Sequence, residues 1–410
     1  MRALEEVRAE LLSALQPLDS EEVILNHAAG RVLASAPSST TAIPPVDTVA
    51  MDGYAVRAAD TRSTPVRLQV IGRVAPGETF SGILGPGQTV RVFTGAPLPP
   101  GADAVVMQED TELVTPPTGE VTILEGVKPW ESVRFRGEDV ALGRPLLAVG
   151  GRLGPAKLGL LAAAGVSTVR VSRRPRVGIL VTGSELVIPG QPLKPGQIYE
   201  SNSLMLRELL LAEGVEVEVM PAVPDREDAL AAALDPAWAR VDLLVTSGGA
   251  SVGEPDLVRS IGRRLGGTIF DGEVALKPGK PFFWGMRSGR LLTGLPGNPV
   301  SAFVTAVLLV LPAVRRLAGR SSVLPPWTPA LLAEPLINGD RRRHFVRVRT
   351  EAGRVSLAGV QASHRLGSLA LADGLVDVPP RQTLPQGASV SVIRWNGVGS
   401  DCDSVAAPPG

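Results

Sequence analysis

Between about residue 177 and residue 317 the chain alternates short apolar, β-branched runs with segments of helical periodicity, and this alternation constrains the fold more than any other feature. The pattern predicts a strand at 177–181 and a helix at 201–213, opened by Ser201 or Asn202 as cap and stopped by Gly214. A strand at 215–220, a helix at 226–234, a strand at 241–246 and a helix at 254–265 follow. Two more β segments at 282–286 and 291–293 precede a last helix from about 299 to 317. Strands that alternate with helices form a mostly parallel sheet covered on both faces. The expectation is a central three-layer α/β domain over residues 175–322.

The flanks read differently. Leu4, Val7, Leu11 and Leu15 repeat at helical spacing, which predicts a helix over 2–15. From Pro44 to about Val140, short β runs at 66–70, 89–93, 104–108 and 120–124 are separated by Pro/Gly turns such as Ala75-Pro-Gly and Gly85-Pro-Gly. Residues 155–164 read as a helix capped by Gly165, expected to pack with the N-terminal helix and so make the β module an insertion. Short strands return at 345–349, 354–357 and 390–394 and suggest a small barrel or sandwich. The fold class is therefore multidomain α/β plus β. Residues 1–43 and 141–174 form an elongated linking domain, 44–140 an inserted β-rich domain, 175–322 the α/β domain, 323–397 a C-terminal β-barrel-like domain, and 398–410 a flexible tail.

Composition excludes several function classes. Lys plus Arg and Asp plus Glu both number 41, without the basic excess of a nucleic-acid binder. The single cysteine, Cys402, excludes a disulfide framework or a Cys-based metal centre, and three scattered histidines argue against a His-rich one. The charged start reads as an amphipathic helix with no signal peptide expected, and the longest apolar run, 302–314, reads as a buried core helix too short for a bilayer. A soluble, cytoplasmic enzyme is expected, with no nucleic-acid or membrane partner.

Ligands of open α/β sheets bind beyond the carboxyl ends of the strands, and every such end here carries a polar, Gly-rich turn. The Ser247-Gly248-Gly249-Ala-Ser251 turn can offer a nest of backbone N–H groups to an oxyanion. Glu185, Asp225 and Asp256 follow three different strands. Each of the two aspartates alone reads as a helix cap; the three together suit Mg²⁺ shared with a pyrophosphate. In Lys277-Pro-Gly-Lys280-Pro two ammonium groups project from a stiffened loop, and an anion between them is the natural compensation. Pro296-Gly-Asn298-Pro299-Val-Ser301 opens the last helix. Met51-Asp-Gly-Tyr and Phe93-Thr-Gly-Ala are polar turns of the β module. Arg341 to Arg343, Arg347 and Arg349 are read as the exposed face of an edge strand.

These segments together resemble the molybdopterin molybdenumtransferase (MoeA) family, whose eukaryotic relatives include the E domain of gephyrin. The resemblance rests on seven motifs in the family's order: Pro44-Pro-Val-Asp-Thr-Val-Ala-Met-Asp-Gly-Tyr-Ala-Val56, Phe93-Thr-Gly-Ala-Pro-Leu-Pro99, Arg134-Phe-Arg-Gly-Glu-Asp139, Thr182-Gly-Ser-Glu-Leu186, Ser247-Gly-Gly-Ala-Ser-Val-Gly-Glu-Pro-Asp256, Lys277-Pro-Gly-Lys-Pro281 and Gly294-Leu-Pro-Gly-Asn-Pro-Val-Ser301. It implies a homodimer with a composite active site and the last step of molybdenum cofactor synthesis. In that step molybdate enters adenylylated molybdopterin and AMP is released with Mg²⁺ assisting. Carried over by position, it implies functional roles for Asp52, Thr94, Asp139, Glu185, Asp225, Asp256, Lys277, Lys280, Pro296, Pro299 and Ser368. Asp225 is followed by Arg226 where an acidic neighbour is common, and Gly367-Ser368 stands where two serines are frequent. The resemblance also implies that Asp52 and Thr94 complete the partner's site, and leaves room for contact with an upstream adenylyltransferase. Two other readings stand beside it. One is molybdopterin adenylyltransferase, which shares the α/β domain but lacks the flanking β modules. The other is a gephyrin-like scaffold without turnover.

Overall fold

The computed structural model describes residues 1–114, 119–248 and 257–395. Its centre is a six-stranded sheet in the order Glu216–Val219, Arg176–Val181, Leu243–Ser247, Arg290–Leu295, Pro281–Arg287, Thr268–Glu273. The first four strands are parallel, and each of the last two pairs antiparallel with the strand before it. The second strand in sequence lies to one side of the first and the third to the other, so the chain reverses direction between Arg176–Val181 and Leu243–Ser247. Such switch points leave a crevice at the carboxyl ends. The antiparallel edge starts at a tight hairpin, where Ser288 (φ 50°) and Gly289 (φ 76°) both take the left-handed conformation of a twist-matched two-residue turn.

The helix predicted over 299–317 runs through Pro299–Thr305, a π-helical stretch Ala306–Val310, and Leu311–Leu317. At 19 residues it is long and apolar enough to cross a bilayer, but 89% of its apolar window is buried inside the protein. It is the core helix of the α/β domain. The N-terminal helix, Leu4–Ser13, packs there too, with Leu4, Val7, Leu11 and Leu15 in the same cluster as Val304, Leu308 and Leu311. This corrects its expected pairing with Pro155–Ala163, whose Leu161 sits in a separate cluster with Leu33, Leu153 and Val171. The segments flanking the β module are nevertheless zipped together. Ser20–Ile24 pairs antiparallel with Thr168–Ser172, and bridges Leu33–Val171, Val32–Arg152, Ser38–Pro145 and Ile43–Val140 continue the seam.

Between residues 53 and 123 lies a six-stranded sheet in the order Ala104–Met107, Gly53–Val56, Gln88–Val92, Val66–Val74, Glu120–Ile123, Thr111–Leu113. Toward the C-terminus five strands close on themselves: Arg343–Glu351, Arg354–Leu357, Trp327–Leu332, Ser389–Ile393 and Gly374–Val378, with the last pairing back to the first. Of the two architectures left open there, the barrel is the one present. Arg343 and His344 of its first strand also pair in parallel with Leu276–Lys277 of the lysine loop. The tail at 398–410 lies outside the described residues.

Candidate active site

Three strand ends are stitched together at the switch point. Thr182 N–H donates to Ser247 O at 2.9 Å, and Gly248 N–H to Leu295 O at 3.4 Å. Gly248 has φ 100°, and a Cβ there would lie 2.2 Å from Thr182 O, so only glycine fits this turn. Ser247 is fully buried and its hydroxyl donates to Pro296 O at 3.1 Å, so it builds the turn rather than facing a ligand. Gly249, Ser251 and Asp256 lie outside the described residues.

Asn202 completes the stitching. Its buried amide donates to Ser247 Oγ at 2.9 Å and to Gly297 O at 2.8 Å, tying the end of the central strand to the Pro296–Pro299 loop. Neither Ser201 nor Asn202 caps the helix as expected. Ser201 holds the cap position without a side-chain cap bond, and Glu200 accepts from Ser203 N–H at 2.9 Å instead.

The turns bearing Glu185 and Asp225 abut. Thr182 bridges to Val223, Gly183 N–H donates to Val223 O at 3.0 Å, and Asp225 N–H donates to Ser184 Oγ at 3.2 Å. Both carboxylates are exposed. The following helix, Glu227–Arg240, has Arg226 at its cap, so Asp225 is not consumed by capping. Among the described residues no group of three His, Cys, Asp or Glu is placed to hold a metal. Two exposed carboxylates on adjoining turns still fit Mg²⁺, which keeps waters and phosphate oxygens and needs only one or two carboxylates.

The lysine loop closes one side of this surface. Gly279 (φ 107°) presses against the Pro299 helix, where a Cβ would meet Thr305 Oγ1 at 2.2 Å. The two ammonium groups are not left facing each other as expected. Lys277 lies 3.8 Å from Asp340 and Lys280 2.8 Å from Glu273, so each has its own carboxylate within the chain. The barrel closes the next side. Asn298 Nδ2 reaches Ser363 Oγ at 3.4 Å, and Val300 N–H donates to Ser363 O at 3.2 Å. Pro299 opens the helix and Ser301 is buried in its first turn.

Arg347 corrects the reading of the basic stretch as an exposed edge. It is wholly buried: Nε donates to Ser368 Oγ at 3.1 Å, and Nη2 to Val360 O at 2.8 Å and Ala362 O at 3.3 Å. Nη1 has no partner among the described residues, and burial pushes the guanidinium down to about 10. Ser368 lines a cavity of about 420 Å³ with Val360, His364, Leu366 and Leu371. Nearby, His344 is buried with Nε2 unpartnered among the described residues, and burial, then Lys277 and Arg347, pushes it down to about 4.

Asp52 and Thr94 form a separate constellation in the β module. Asp52 Oδ1 accepts from Thr94 N–H at 2.8 Å and Thr94 Oγ1 at 2.7 Å, and these bonds hold its carboxyl below the usual range. Asp139 is exposed at the seam where the module rejoins the chain, its N–H donating to Ile43 O at 3.1 Å.

Family models match the chain in order: the MoeA N-terminal region (domain I and II) over residues 2–165, a probable molybdopterin binding domain over 178–316, and the MoeA C-terminal region (domain IV) over 329–395. A molybdopterin molybdenumtransferase of Haemophilus influenzae is 36% identical over 404 residues, covering 97% of this chain and 99% of that one. The chain belongs to the MoeA family. A second MoeA relative, molybdopterin molybdenumtransferase 2 of Mycobacterium tuberculosis, is 37% identical over 92% of this chain and 96% of its own. The crystal structure of the molybdopterin biosynthesis moeA protein from Pyrococcus horikoshii is 36% identical, covers 97% of this chain and all of that one, and superposes with a TM-score of 0.82. The flanking β modules that set MoeA apart are all present, which disfavours the adenylyltransferase reading. Sequence reasoning missed Asn202 as a clamp and Arg347 as a buried cation, even within a MoeA frame. Each position carried a bland local reading, a helix cap and an exposed strand face.

Proposed function

We propose that this MoeA-family chain inserts molybdate into adenylylated molybdopterin and releases AMP. One observation carries the reading. The Glu185 and Asp225 turns meet beside the switch point, and the Lys277–Lys280 loop, the Pro296–Pro299 loop and the barrel's Ser363 all join on the same helix. A polyanionic substrate needs cations and hydroxyls on one side and a hard-cation site on the other, and these turns offer both. Glu185 and Asp225, with Asp256, are the residues that would hold Mg²⁺. When bound, the ion supplies charge neutralisation at the phosphoanhydride. The chain's own residues bind and orient. Lys277 and Lys280 exchange their internal carboxylates for substrate oxygens, and Ser368, backed by Arg347, turns its hydroxyl from Arg365 O to an oxyanion. Fixed dipoles and charges of this kind lower a barrier without a covalent enzyme intermediate. The Asp52–Thr94 pair and Asp139 complete the site in a homodimer, from the partner's β module. The chain works in the cytoplasm, and contact with an upstream adenylyltransferase is compatible with that setting.

The test incubates the protein with adenylylated molybdopterin, molybdate and Mg²⁺ and measures AMP and active cofactor. Both are expected, and chelation of the divalent ion is expected to stop both. Absence of AMP where a relative releases it overturns the reading. AMP release unaffected by chelation overturns the Mg²⁺ assignment.

A further inference from the structure

The β module's sheet has an apolar end and a polar end on one face. Tyr54, Leu68, Val106, Val121 and Ile123 pack at the apolar end. Where that cluster ends at Tyr54, the register places Arg91 opposite Tyr54 on one side and Arg73 on the other. The Arg91 guanidinium lies 4.8 Å from the Tyr54 ring centre and 5.3 Å from that of Phe93, and Arg73 lies 4.8 Å from Phe93. Arg91 Nη2 donates to Gln108 Oε1 at 2.6 Å, and Gln108 N–H donates to Asp52 O at 3.0 Å. Arg91 is half-buried, and its charge helps hold the Asp52 carboxyl below the usual range. Two rings and an amide therefore hold a guanidinium beside the Asp52–Thr94 turn, close enough for Asp52 to feel its charge.

We propose that Arg91 is an anion-binding residue that takes a phosphate oxygen of the adenylylated substrate. The proposal rests on the reading that Asp52 and Thr94 serve that substrate. An arginine already held by stacking loses little freedom on binding, and its planar fork matches a phosphate edge. Asp52 selects between the two oxyanions of the reaction. Free molybdate, a bare dianion, meets the ionised carboxylate as well as the arginine. A phosphate accompanied by its divalent cation presents both signs to both groups.

Arg91→Gln and Arg91→Lys in the full chain test this. Arg91→Gln is expected to raise the KM for adenylylated molybdopterin about tenfold, the yield of one charge-assisted hydrogen bond, and to weaken AMP inhibition alike. The KM for molybdate and kcat should stay within about twofold, since the contact is made in ground and transition states alike. Arg91→Lys keeps the charge without the fork and should fall between. An unchanged KM for the adenylylated substrate, or a rise confined to the KM for molybdate, overturns the proposal. AMP binding by calorimetry reads the same contact without turnover, so a wild type that binds AMP but does not turn over sinks the activity reading alone. If Arg91→Gln unfolds, Gln108→Met leaves the charge but frees its anchor. A rise of about threefold in KM is then expected, and no change overturns the proposal.

Discussion

Replacing Asn202 by alanine removes both bonds that tie the central strand end to the Pro296–Pro299 loop. Ser247 Oγ keeps its bond to Pro296 O, so its loss is one net hydrogen bond, while Gly297 O loses the amide that satisfies it. At about 1 kcal/mol for each bond, the folded state should lose about 2 kcal/mol. The same change frees the loop carrying Asn298 and Pro299. If that loop positions substrate, kcat/KM for AMP release should fall at least about tenfold, equivalent to about 1.4 kcal/mol of transition-state binding. The assay pairs urea unfolding with steady-state kinetics, and Ser201→Ala is its internal control. Ser201 holds the cap position without a side-chain cap bond, so its loss should cost no more than about 0.5 kcal/mol. A true cap would cost about 1 kcal/mol. The reasoning is refuted if Asn202→Ala unfolds at the wild-type midpoint with unchanged kinetics, or if Ser201→Ala is the more damaging change.

Two other outcomes follow from the geometry. Gly248→Ala puts a Cβ 2.2 Å from Thr182 O at φ 100°, so it should displace the switch-point turn and cost about 3 kcal/mol, read as a lower unfolding midpoint together with lost AMP release. His344 is held at about 4, below its unfolded value near 6.5, so the unfolded chain takes up the proton first and stability falls as the pH drops through that window. Between about pH 7 and pH 5 wild type should lose about 2 kcal/mol more than His344→Gln, and equal losses in the two proteins contradict the assignment.

The central α/β domain was legible because its strands and helices carry their own periodicity. The strand Thr268–Glu273 was not, since it is an edge strand, largely open to solvent and interrupted by Asp271-Gly272, so no apolar alternation marks it. The strand ends were legible as polar turns, but what each side chain does there depends on partners distant in sequence. Lys277 meets Asp340, and Arg347 meets Ser368, Val360 and Ala362. Charge pattern alone could not tell a cation folded under its own carbonyls from one on an open strand face. The amphipathic stripe of Leu4, Val7, Leu11 and Leu15 announced a buried face without naming its cover, which is the long core helix.

The claim that two constellations of this chain act on one substrate is tested most directly by mixing subunits. Asp52→Ala and Asp225→Ala chains are each expected to be inactive. Equal amounts, unfolded and refolded together, give about half heterodimers by random pairing, and each heterodimer in a two-fold dimer holds one intact composite site. The account predicts recovery of about a quarter of the wild-type rate of AMP release, that being the fraction of intact sites. Heterodimers that form, as counted by native mass spectrometry, and release no AMP would contradict it.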